Sequence, residues 1–212
     1  MSLLNSMITE RQHWFREIFA GLRILDENAV TAHLADEDRR TEEVLAAGPL
    51  DAELVHHLYA QKDALGLILR GRLHLEELLE AIIAKKFKYA DILLHGRLSF
   101  SAKMDILRAS NALDAKTYRD LVQISRLRNA FAHHLSSSLS VSEVSGLSDC
   151  PALKAVVSKF ESPDVRAQIA LFVLRQVLLQ VLLRLALRHK LIGQSVEALG
   201  PPVQDDKDDH SD

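Results

Sequence analysis

Apolar residues recur along this chain at intervals of three and four. No alternating apolar and polar run bounded by turn signals is long enough to argue for a strand. The pattern predicts an all-α fold, a compact helical bundle of about five main helices. An amphipathic helix is expected over roughly Thr9 to His33, with Phe15, Ile18, Leu22 and Leu25 on one stripe and Trp14 and Phe19 beside it. The charged run Asp36 to Glu43 that follows reads as a solvated connector. Gly48-Pro49 breaks the chain before Asp51, an N-cap for a long helix reaching Lys88. Ser99 or Ser101 caps a shorter helix to about Ala112, and Asp114 caps the next after a very short connection. Leu135 to Cys150 holds seven serines and a glycine, which compete with helix formation for backbone hydrogen bonds, so a loop is expected there. Ser162-Pro163-Asp164 has the cap, the first-turn proline and the early acid of a helix start, opening a helix to about Lys190. From Pro201 the chain is acidic and proline-led, with the composition of a disordered tail. The expected division is an N-terminal helix and connector over 1–48, a bundle over 49–195 and a tail over 196–212.

The last long helix is apolar almost all round. Its polar stripe is Arg175, Gln176, Gln180 and Arg184, and no acid stands between Asp164 and Glu197. Such a helix is either the centre of a bundle or half of a dimer seam. Ile169 to Leu187 approaches the length of a membrane span, but two arginines within it are costly in lipid, so a buried helix of a water-soluble bundle is the expectation.

At 212 residues, 48% hydrophobic and 26% charged, the chain can build a sizeable core. A net charge of −3 argues against nucleic-acid binding through bulk positive charge, so any phosphate contact must be local. The single cysteine, Cys150, has no intramolecular partner, and the first residues lack the layout of a secretory signal; the expected compartment is the cytoplasm.

The densest chemistry lies in Ser125-Arg126-Leu127-Arg128-Asn129-Ala130-Phe131-Ala132-His133-His134. At about 100° per residue, Ile124, Leu127, Phe131 and Leu135 share the face that must pack on a core, while Arg126, Asn129 and His133 cluster on the polar side. Arg128 lies about 140° from His133. The two converge only if the helix loosens near its end or if a second copy supplies one of them. Arginine holds phosphate through a planar fork, and histidine exchanges protons near neutral pH. Together they suit phosphodiester cleavage without a metal. The alternative is structural: histidines at a helix C-terminus favour the dipole, and the arginines are surface charges.

With Arg128-Asn129-Ala130-Phe131-Ala132-His133 in place, the span from about Leu67 to His134 resembles the HEPN superfamily. The signature of these helical domains is an arginine, usually a polar residue after it, then four to six residues and a histidine. The preceding hairpin, from Leu98-Ser99-Phe100-Ser101 to Tyr118-Arg119-Asp120-Leu121, is similar to the mannitol-operon repressor branch of that superfamily. The resemblance implies a homodimer with a composite, metal-independent site that cuts RNA. In it Arg128 holds the scissile phosphate, His133 acts as base or acid, Asn129 positions one of them, and Arg126 and His134 are further candidate substrate-binding groups. Arg126 fits the loose signature as well as Arg128 does, and Leu135 stands where the toxin branch often carries tyrosine. The mannitol-repressor branch is known for regulation, which makes a non-catalytic transcriptional regulator or interaction module, acting through a protein partner, the alternative to a ribonuclease with a cognate antitoxin.

Ala112-Leu113-Asp114 could join a helix-turn-helix, but Asp114 and Asp120 suit DNA phosphates poorly, and a structural hairpin is expected. Lys85, Lys86 and Lys88 suit a helix C-terminus; an RNA-guiding patch is the alternative. His56 and His57 are adjacent and lack partners at metal-ligand spacing, so no metal site is expected, and no cofactor motif is present.

Overall fold

The structure is a computed structural model and describes residues 18, 20–22, 26–46, 50–96, 98–133, 144 and 152–191. Among them there is no strand, and the all-α expectation holds. Eight helices are delimited: α1 (Glu27–Ala46), α2 (Ala52–Tyr59), α3 (Ala64–Lys86), α4 (Ala90–His95), α5 (Phe100–Ala109), α6 (Ala115–His133), α7 (Ala152–Val157) and α8 (Pro163–His189).

Helices α3 and α8 form the axis. Their backbones come close where α3 has no side chain: a Cβ at Gly71 would lie 2.8 Å from Leu178 Cδ1. At one end Lys85 Nζ donates to His189 O (2.8 Å), and at the other Arg175 Nη2 donates to Gln61 O (3.0 Å), so the two helices run parallel. Helix α8 also packs on α1, α2 and α6, while α3 carries α2, α4, α5 and α6. Of the two roles open to α8, this places it at the centre of the bundle. It is long and apolar enough to cross a membrane, yet 89% of its most apolar stretch is buried inside this chain.

Caps behave as the sequence predicts at four helix starts. Asp51 accepts from Glu53 N, Ser99 from Ala102 N, Asp114 from Thr117 N and Ser162 from Val165 N. Lys190, at φ 52°, closes α8 in a left-handed turn, and Asn111, at φ 56°, does the same in the α5–α6 hairpin.

Three expectations need correction. The helix expected to run from Thr9 to His33 is interrupted. Asp26 lies outside helix, its Oδ1 accepts from Ala29 N (2.7 Å), and α1 starts afresh at Glu27. The run Asp36 to Glu43 is not a solvated connector but the middle of α1. Arg39 and Arg40 pair outward with Asp36, Glu37 and Glu43, whereas Glu37 and Thr41 are buried and Asp38 meets Arg175 of α8. The long helix expected from Asp51 to Lys88 is two helices, because Asp63 takes Gly66 N (2.6 Å) and restarts the chain as α3. The short helices α4 and α7 were not foreseen. Most of the serine-rich segment and the acidic tail lie outside the described residues.

Candidate functional site

Helix α6 carries the arginine-histidine motif, and its rotation is fixed from both sides. Toward α8, Arg184 Nη2 binds Asp120 Oδ2 (2.8 Å), both side chains nearly buried, and Arg188 Nη1 binds Asp114 Oδ2 (2.7 Å). Toward α5, Tyr118 OH donates to Asp105 Oδ1 (2.7 Å). Burial opposes the charge of Asp114, but hydrogen bonds from Thr117 N and Oγ1 and the arginines of α8 outweigh it and hold the carboxyl below its ordinary range. Leu121, Ile124, Leu127 and Phe131 then enter the core as the spacing requires.

That rotation decides where the motif falls. Arg126 and Asn129 are exposed and Arg128 is half-buried, as predicted. Arg128 Nη1 donates to Asn129 Oδ1 (3.1 Å), while its Nε is buried with no hydrogen-bond partner among the described residues. The two residues are therefore brought together at one edge of α6. Position 133 is a different matter. The helix remains α-helical through it, so positions 128 and 133 stay about 140° apart around the axis and about 7.5 Å apart along it. The helix does not loosen before its last residue. The His133 side chain and all of His134 lie outside what the structure describes. A guanidinium held against an asparagine amide at an accessible edge can take a phosphoryl oxygen through its remaining donors.

The strongest buried polar cluster lies elsewhere and was not foreseen. Between α1, α2 and α8, Arg175 (5% exposed) binds Asp38, donates to Gln61 O and lies 5.1 Å from the Tyr59 ring centroid; Gln176 Nε2 donates to the Tyr59 hydroxyl (3.2 Å). Burial, then the Asp38 charge, push the Tyr59 hydroxyl far above its ordinary range, so it remains a neutral phenol. Burial also raises the Asp38 carboxyl against the pull of Arg175. Gln176 is fully buried, so the cluster joins helices rather than meeting a substrate. Lys103 is likewise nearly buried, its ammonium held by Glu76 (2.7 Å) and Glu80. The signal for these pairs was in the chain: an α8 with arginines and no acid after Asp164 must find carboxylates on other helices.

No protein-family model, curated protein or solved structure matches this chain.

Proposed function

We propose that this chain is a homodimeric HEPN-type protein with a metal-independent RNA-cleaving site, in a role such as that of a toxin or stress effector in the cytoplasm. The observation that carries the reading is the unbroken helix through His133. With the two positions about 140° apart on one α6, a shared site draws Arg128 from one copy and His133 from the other. In that composite site His133 takes the proton of a ribose 2′-hydroxyl, and the freed oxygen attacks the adjacent phosphorus. Arg128 stabilises the charge gathering on the phosphoryl oxygens, and Asn129 holds the guanidinium in place. The 5′-oxygen leaves with a proton from the second histidine, giving a 2′,3′-cyclic phosphate and a 5′-hydroxyl. Arg126, exposed one turn before Asn129, and His134 are candidates for contacting neighbouring phosphates.

The test is cleavage of a mixed structured RNA in EDTA by wild type, His133→Ala and Arg128→Ala, with light scattering on the same samples. The reading requires a dimer and cyclic-phosphate ends that disappear in both variants. A folded monomer, or a dimer that leaves RNA intact, refutes it.

One observation favours a second reading, a non-catalytic regulator acting through protein partners. Arg128 already has one guanidinium nitrogen bonded to Asn129 and another buried, as an arginine that merely orders a helix end would.

A further inference from the structure

The end of the bundle opposite the motif is basic. The C-termini of α3 and α8 emerge there together, tied by the bond from Lys85 Nζ to His189 O, and they assemble Lys85, Lys86, Lys88, Arg188 and Lys190. Arg188 is neutralised by Asp114, and Lys85 is held by the carbonyl. Lys86, Lys88 and Lys190 are exposed with no acid paired to them; Asp91 is the nearest counter-charge in sequence. Burial, followed by the charges of Arg188, Lys85 and Lys86, holds the His189 imidazole below its ordinary range, as expected where like charges crowd.

Two large apolar side chains stand out of this surface. Tyr89 is 61% exposed, with Lys88 Nζ 5.3 Å from its ring centroid, and Ile92 is 69% exposed one turn further on. An aromatic ring among unpaired cations suits either nucleic acid or an anionic membrane surface, and the size of the apolar part decides between them. A single myristoyl chain gives only marginal membrane attachment. Tyr89 and Ile92, on a helix of six residues, bury far less than that. A single-stranded nucleic acid needs no apolar insertion, only a ring to stack on and cations spaced along a backbone.

We propose that this end of the bundle is a docking surface for single-stranded RNA, with phosphates on Lys86, Lys88 and Lys190 and a base stacked on Tyr89. The proposal rests on the reading that RNA is the substrate and adds how an acidic protein holds it. The strand is gripped at the start of α6, about 27 Å along that helix from the motif, so the grip and the chemistry sit on separate surfaces.

The test is fluorescence anisotropy of a short labelled mixed-sequence RNA without self-complementarity, on full-length protein carrying His133→Ala to prevent turnover. Three phosphate contacts predict that log K falls against log salt with a slope of about −2. Lys86→Glu with Lys88→Glu should weaken binding by at least about tenfold and flatten that slope to less than about −1. Tyr89→Ala should weaken it about tenfold with the slope unchanged. All three positions are exposed, so circular dichroism should show unaltered folding. Absence of binding by the unsubstituted surface, or equal binding by the variants, overturns the proposal. So does binding to phosphatidylserine vesicles that is lost in the same variants when RNA is not bound. Cleavage is scored separately in the His133 background. RNA bound here but not cut sinks the ribonuclease reading and keeps the docking surface; RNA cut by variants that bind it normally does the reverse.

Discussion

Asp38→Ala tests whether the buried network between α1 and α8 holds the N-terminal part of the chain to the bundle. In wild type, Arg175 has two polar partners, the Asp38 carboxylate and Gln61 O, and its Nε has none. Removing the carboxylate leaves a guanidinium, 5% exposed, with one neutral acceptor and the Tyr59 ring. Breaking a buried pair from one side costs about 3–5 kcal/mol. The Asp38 side chain is 24% exposed, so water can partly replace it, and roughly 3 kcal/mol is the reasoned value. In a chain of this size that lowers Tm by about 6–12 °C. Arg175→Met in the same background removes the stranded charge while keeping the volume, and should recover about 2 kcal/mol, since an apolar replacement of a buried pair is often nearly neutral. Urea unfolding followed by circular dichroism gives all three values, with an unchanged m-value confirming that the unfolding reaction is the same. A loss below about 1 kcal/mol in Asp38→Ala, or a double variant no more stable than the single, would show that Arg175 does not depend on this carboxylate.

Two further perturbations probe the axis and the seat of α6. Gly71→Ala places a methyl 2.8 Å and 3.0 Å from the δ carbons of the fully buried Leu178. Overpacking of about 1–3 kcal/mol therefore exceeds the helix-propensity gain of about 1 kcal/mol, and the variant should be less stable. Gly96→Ala, whose nearest contact is 3.7 Å at φ −69°, is the control and should be neutral or slightly stabilising; thermal melts that rank the pair the other way contradict the packing argument. Asp114, held below its ordinary value of 3.8, contributes stability that is fully present above that pH and disappears as pH falls through its folded value. Asp114→Asn keeps a capping oxygen but not the charge, so it should be less stable at neutral pH and show a shallower acid-side decline; parallel acid titrations of the two proteins would rule the linkage out.

The fold was legible wherever a local signal coincided with a period. Asp51, Ser99, Asp114 and Ser162 each combine a cap with an apolar repeat behind it, and each begins a helix. The misses share one physical cause: a break made by a single aspartate without glycine or proline. Asp26 and Asp63 both interrupt continuous helical periodicity, and nothing in the pattern around them separates a capping aspartate from one on a solvated face. The inward turn of Asp38 was hidden for a related reason. A charged stretch reads as solvent-facing on its own helix, and only the surplus of arginine on α8 indicates that one of its acids is needed elsewhere.

The motif shows how far a helical wheel carries and where it stops. The wheel places Ile124, Leu127 and Phe131 inward and Arg126 and Asn129 outward, and the bundle agrees because Asp120 and Tyr118 lock α6 in that rotation. It also gives the angle between positions 128 and 133, and an α6 unbroken through His133 preserves it. What it cannot give is the identity of the surface opposite each edge, since that depends on helices far away in sequence. An arginine half inside the bundle and a histidine five positions later form a site only when something outside this α6 faces them. The composite reading and the order-only reading make opposite demands on that surface. The first requires a second α6 across a two-fold axis, with Arg128 turned from Asn129 toward a phosphate; the second requires the Arg128 to Asn129 bond to persist in every state of the protein.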